Sequence, residues 1–174
     1  RLVRTPSPSG QEGAAAELLA GWASDRGLAV ERDDASVRIA VAGAAPGPTL
    51  ALASHLDTVP VGEGWTVDPL AAERRDGRLY GRGAVDAKAS VAAMAAAAAA
   101  LAAAGGPARG TLLVIASFSE ETRDTTMPET LRRLGRLPDA AIVGEPTGLE
   151  PCVAQRGQLL LRGVWEGEQV HAGW

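Results

Sequence analysis

Between Val91 and Ala104 the chain is almost pure alanine, a run of 14 residues broken only by Val91, Met94 and Leu101. Alanine is the best helix former and carries no polar side-chain group. A buried helix over Asp86 to Ala104 is therefore expected, with side chains small enough to let it lie close against a sheet. A bilayer span needs ~20 apolar residues and alanine is barely lipophilic, so the run does not read as a membrane segment. Gly105-Gly106-Pro107 ends it, and Thr111 to Phe118 (TLLVIASF) follows as the clearest buried strand.

The remaining segments extend that alternation. The spacing of Leu18, Leu19, Trp22 and Ala23 predicts a helix over Gln11 to Arg26, with Ser9 or Gly10 as its cap and Gly27 as its C-cap. Leu28 to Glu31, Ser36 to Val41 and Thr49 to Ser54 read as strands, the last running directly into His55. Asp76-Gly77 marks a turn, and Met127 to Leu134 reads as a helix with Asp124, Thr125 or Thr126 as caps. Ala140 to Val143 reads as a short buried strand and Gln158 to Trp165 as an alternating one. Strands separated by helices predict an α/β fold, a mostly parallel sheet with helices on both faces. Residues 1–156 form its main domain, and Gly157 begins a second unit over 157–174.

Composition removes several function classes. With 46% hydrophobic residues, 174 positions are enough for one domain with a real core. Seventeen Lys+Arg against 21 Asp+Glu leave a net charge of −4 and no basic surplus for gripping nucleic acid. The one cysteine, Cys152, excludes an intrachain disulfide framework and a Cys-rich zinc knuckle, and fits the reducing cytoplasm. The opening Arg1-Leu2-Val3-Arg4 has no Met and no apolar signal segment follows, so both ends are expected to be cut from a longer chain. The chain also holds 35 alanines, and 16 arginines against a single lysine, Lys88. Residues that escape this drift, notably Lys88, His55 and His171, carry more information than their neighbours.

In an open α/β sheet, ligands bind at the carboxyl ends of the strands. The residues just past the predicted strands are His55 and Asp57, Glu120 and Glu121, and Glu145, with Asp86 at the start of the alanine-rich helix. Taken singly, His55 is an ordinary strand-end residue, Asp86 a helix N-cap, Glu120-Glu121 a solvated loop and Glu145 a turn residue before Pro146. Converging on one rim they would repel each other unless a cation sat among them. Carboxylates with an imidazole suit zinc, cobalt or manganese. A carboxylate two residues past a ligating histidine, as in His55-Leu56-Asp57, can hold the second ring nitrogen and fix the tautomer.

Four ordered motifs carry a resemblance. They are Ser54-His55-Leu56-Asp57-Thr58-Val59-Pro60, Leu79-Tyr80-Gly81-Arg82-Gly83-Ala84-Val85-Asp86-Ala87-Lys88, Glu120-Glu121 and Gly144-Glu145-Pro146-Thr147. Together they resemble the co-catalytic zinc amidohydrolases, the zinc-exopeptidase-like family of acetylornithine deacetylase, succinyl-diaminopimelate desuccinylase, acetyl-lysine deacetylase, aminoacylase and carboxypeptidase G. The resemblance implies two divalent metal ions, zinc foremost, bridged by Asp86. His55 and Glu145 would complete one ion and Glu121 would bind the other. Glu120 would be the general base acting on a metal-bridged water, and Asp57 would orient His55. His171 would belong to an inserted α+β lid, which begins at residue 157 and reaches a partner subunit's substrate in a homodimer. The Asp86-Ala87 bond would be cis. The implied reaction is cleavage of the amide bond of an N-acyl amino acid or short peptide-like amide, as in amino-acid biosynthesis.

Departures from the pattern are Ala89, where a glycine is usual, and the absence from these residues of the family's last His ligand. The 174 residues are therefore expected to be inactive by themselves. The alternative is a catalytically incomplete fragment or pseudo-enzyme with a binding or scaffolding role. Nucleotide binding is disfavoured because Gly81 to Asp86 fails GxGxxG and no GxxxxGK[ST] occurs, and a serine hydrolase because no GxSxG occurs.

Overall fold

The run Thr111–Ser117 forms the middle strand of a five-stranded sheet in the computed structural model, which describes residues 1–122, 125–154, 156–157, 159 and 161–167. After a 3₁₀ turn at Leu2–Arg4 come α1 (Gly13–Ser24), β1 (Ala29–Arg32), β2 (Ser36–Ala42) and β3 (Thr49–His55). Then follow β4 (Glu73–Arg75), β5 (Arg78–Tyr80), α2 (Lys88–Ala103), β6 (Thr111–Ser117), α3 (Thr126–Arg133) and β7 (Ala140–Val143).

The sheet order is β1-β2-β6-β3-β7. β3 runs parallel to both β6 and β7, while β2 is antiparallel to both its neighbours. Four strands therefore point one way and β2 alone opposes them, so the sheet is mixed but mostly parallel in direction. The parallel strands β3, β6 and β7 finish on the same edge, with His55 level with Ser117. That shared edge is what brings distant strand-end residues together.

Helices cover both faces. α1 and α2 close one core with Val37, Ile39, Val41, Val114 and Ala116. Met127 and Leu131 of α3 pack on Ala51, Ala53, Leu113 and Ile115 of the other face. α2 turns Val91, Ala95 and Ala98 toward the sheet, a helical spacing that buries all three. Ala92, Ala93, Ala96 and Ala97 on its other face are exposed, so the helix expected to be buried covers the sheet with one face only. Among the described residues no helix is long and apolar enough to cross a membrane.

Several local expectations change. α1 ends in a Schellman arrangement at Gly27, whose N–H reaches Ser24 O while the Leu28 N–H reaches Ala23 O. Its N-cap is Glu12, however, and no side chain caps it. Neither Asp86 nor the Thr125 side chain caps a helix either: α2 starts from Ala87 and α3 from Thr125 without a side-chain bond, and Asp124 lies outside the described residues. The Asp76-Gly77 turn closes a small hairpin of β4 and β5. β7 is a strand but not a buried one, with Ile142 56% and Val143 64% exposed: it is an edge strand, and neither core cluster of the described residues reaches it. The strand expected over Gln158 to Trp165 is absent among its described residues, where Leu159, Leu161, Val164 and Trp165 are exposed and pair with nothing.

Candidate active site

β3 delivers His55 at its last position, where burial leaves the imidazole 1% exposed. The Leu56 N–H extends the parallel ladder to Ser117 O, and Ser7 Oγ donates to Leu56 O. His55 Nδ1 lies 3.1 Å from the Asp57 carbonyl oxygen and 3.4 Å from Asp57 Oδ1. The closer backbone oxygen is the better acceptor, so Asp57 orients the ring through its main chain at least as much as through its carboxylate. With Nδ1–H so engaged, Nε2 faces Asp86 Oδ1 at 2.9 Å and Glu145 Oε2 at 3.9 Å.

The Asp57 carboxylate is fully buried and has a second task. Its Oδ1 accepts the Glu120 N–H and its Oδ2 the Glu121 N–H, both at 3.1 Å, while Ser9 Oγ donates to Oδ2 at 2.6 Å. Burial pushes this carboxyl upward, but His55, Ser9 and the two N–H groups outweigh it and hold the acid below its ordinary range.

Asp86 lies just before α2, half exposed, and its peptide bond to Ala87 is cis. The loop before it folds back through the Lys88 N–H to Gly83 O bond. Gly83 has φ +78°, and a Cβ there would come within 2.8 Å of Thr58 Cγ2 and 3.0 Å of Lys88 Cδ. Lys88, singled out by composition, is 2% exposed, and its Nζ donates to Leu2 O at 3.1 Å and Thr5 O at 2.8 Å. Glu145 follows β7, held by Ser54 Oγ donating to Gly144 O. A side chain at Gly144 would collide with Met94 and Ser90, so glycine is what lets this segment pass against α2.

Ligand-capable atoms of His55, Asp86 and Glu121 all lie within 4.8 Å of one another. Burial lowers the affinity of His55 for a proton, yet Asp57, Asp86 and Glu145 more than reverse this and raise its pKa to about 9. Glu145 is pushed upward, first by burial and then, against the pull of His55, by the charges of Glu120, Asp86 and Glu121. One imidazole facing a ring of carboxylates that favours positive charge is a donor set that fits a divalent ion of the zinc, cobalt or manganese kind. The structure thus gathers His55, Asp57, Asp86, Glu121 and Glu145, with Glu120 beside them on the same turn. His171 lies outside the described residues.

Sequence reasoning missed Glu12 as well as the tasks of Ser9 and Ser119. Glu12 Oε1 accepts the Gly10 N–H, the Ser119 N–H and the Ser119 hydroxyl at 2.8, 2.9 and 3.2 Å. The Ser9-x-x-Glu12 spacing was the available signal, although it reads as a helix capping box and neither side chain is spent that way.

A buried histidine among carboxylates, at the carboxyl edge of a helix-covered sheet, defines an α/β domain with the donor set of a metallohydrolase. The family model described as Peptidase family M20/M25/M40 matches residues 51–157, and the chain belongs to that family. Hydrolases of the family are metal-dependent amidohydrolases. The chain is 38% identical to a succinyl-diaminopimelate desuccinylase of Novosphingobium aromaticivorans, over all of this chain and 50% of that protein. It is 35% identical to an acetylornithine deacetylase of Edwardsiella ictaluri, over 91% of this chain and 44% of that protein. The M20 family metallo-carboxypeptidase Sso-CP2 from Sulfolobus solfataricus shares the fold with a TM-score of 0.72 at 19% identity, over 82% of this chain and 35% of that one. So does the Bacillus subtilis YXEP protein, described as a dinuclear metal-binding peptidase, with a TM-score of 0.62 at 19% identity, over 82% and 39%. The chain spans about half the length of the curated relatives it matches.

Proposed function

We propose that the protein of which these residues are part hydrolyses the amide bond of an N-acyl amino acid. The observation that carries this reading is the approach of His55, Asp86 and Glu121 to within 4.8 Å of one another, beside a glutamate whose main chain is bound to the same Asp57 that orients His55. Both curated relatives are named for removing an acyl group from an amino acid, one a succinyl and the other an acetyl group.

His55 and Glu145 would hold one divalent ion and Glu121 a second, with Asp86 shared between them. Zinc is the first choice, and cobalt and manganese suit the same donors. Two such ions acidify water and polarise an amide carbonyl. Asp57 accepts from Nδ1–H of His55, which leaves Nε2 as the nitrogen that would give up its proton and bind the ion. Glu120 takes the proton of the attacking water and returns it to the departing nitrogen. Residues 1–156 make up the metal-binding catalytic portion, and 157–174 begin a lid and dimerisation domain in which His171 reaches the partner subunit's substrate. A further His ligand for the second ion would have to come from outside these residues. The setting is amino-acid biosynthesis in the cytoplasm, with a small-molecule substrate and neither nucleic acid nor membrane as partner.

The test is turnover of acetylornithine, acetyl-lysine and succinyl-diaminopimelate by the full-length protein loaded with zinc or cobalt. Release of free amine from at least one of them is expected. Metal bound at stoichiometric level with no amide cleaved would instead favour a binding role.

A further inference from the structure

The glutamate pair sits on a turn that is held from outside the site. β6 ends at Ser117, and two residues later Ser119 takes a left-handed conformation, φ 54°, which a serine adopts only when its surroundings impose it. The next two N–H groups then point at Asp57. Glu12 is what meets the reversal. It is 5% exposed, and one oxygen of its carboxylate accepts both the N–H and the hydroxyl of Ser119, 107 positions away, and the N–H of Gly10. Three consecutive N–H groups, from Ser119 to Glu121, are thus divided between two buried carboxylates, Glu12 and Asp57. Ser9 and Gly10, adjacent in the chain, each tie into one of them.

We propose that Glu12 is a positioning residue for the Glu120–Glu121 pair: its buried carboxylate fixes the left-handed turn at Ser119 from which both glutamates are presented. This deepens the proposed function and rests on it for the tasks of Glu120 and Glu121. A charged acceptor serving two donors of one residue is stronger than neutral alternatives and leaves that residue little freedom. A general base displaced by about 1 Å loses on the order of 10²-fold in rate, so a clamp on the turn bears on chemistry more than on substrate binding.

The experiment compares Glu12→Ala, Glu12→Asp and Glu12→Gln in the full-length metal-loaded protein. Glu12→Gln keeps an oxygen acceptor where Oε1 lies, whereas Glu12→Asp withdraws it by one methylene. Two readouts are taken well below the melting temperature: amide hydrogen exchange at Ser119–Glu121 against Thr111–Ser117, and kcat against KM. Glu12→Ala and Glu12→Asp should each speed exchange ~10-fold or more at Ser119–Glu121 with β6 unchanged, and lower kcat ~10-fold or more at near-constant KM. Glu12→Gln keeps the acceptor oxygen but not its charge, so it should lose less than Glu12→Ala and Glu12→Asp in both readouts. If the alanine variant does not fold, the aspartate variant decides by the same readouts. Unchanged exchange at the turn, acceleration equal in β6, or a loss confined to KM would overturn the proposal. A wild type that cleaves no acylated amino acid would defeat the proposed function instead, and exchange alone would then decide whether Glu12 holds the turn.

Discussion

Nε2 of His55 lies 2.9 Å from Oδ1 of Asp86, although 31 positions separate them along the chain. One residue ends β3 and the other precedes α2, whose inner face packs on the sheet, so packing of α2 on β3 creates the pair.

That pair should be the heart of metal binding. In the full-length protein, His55→Ala should lose at least one equivalent of metal by elemental analysis, and exhaustive chelation should abolish turnover until zinc or cobalt is returned. Undiminished turnover with the absence of metal confirmed would refute this.

The two glutamates should separate in their effects. Glu120→Ala should lower kcat by ~10²-fold or more with metal content near normal, the usual contribution of a positioned base. Glu121→Ala should lose metal. Identical behaviour of the two variants would show the division of tasks to be wrong.

Lys88 should matter for stability. Its ammonium serves the Leu2 and Thr5 carbonyls from a site 2% exposed. Lys88→Met keeps the stem but takes the donor from Thr5 O and leaves Leu2 O with the Thr5 N–H alone, a loss of about 1–3 kcal/mol for the group left unsatisfied. Urea unfolding of variant and wild type measures it, and equal midpoints would refute it.

Asp33 should make stability depend on acid. Its carboxylate accepts the Ala35 and Ser36 N–H groups and meets Arg38 and Arg133. Burial raises its pKa, but these partners prevail and hold it well below the usual carboxylate range. A depressed acid stabilises the fold above the unfolded value, near 4, and that stability is lost as pH falls through the folded value. Asp33→Asn should therefore be less stable at neutral pH, with the gap to wild type closing as pH drops below about 4. A gap that stays constant with pH would refute the assignment.

What could be read from residue order was what local chemistry decides. The alanine run, the TLLVIASF strand and the strand leading into His55 declare themselves because burial on both sides or helix propensity leaves no other option. The ligand-capable residues were legible as strand-end positions in ordered motifs. The exposure of β7 was not, since four apolar residues look the same whether or not anything covers them. The Arg-rich strands of the Glu73–Tyr80 hairpin show no alternation, so only their turn was visible. Glu12 was hidden for another reason: its partner Ser119 is distant in the chain, and its spacing from Ser9 mimics a local cap.

The isolation of Lys88 gives these residues a built-in chemical clock. As the one lysine in 174 residues, and a shielded one, it offers amine-directed reagents a single side-chain target that becomes accessible only when the Leu2–Thr5 turn lifts away. Acylation at Lys88, followed by mass spectrometry, would therefore time the opening of that turn without any engineered label.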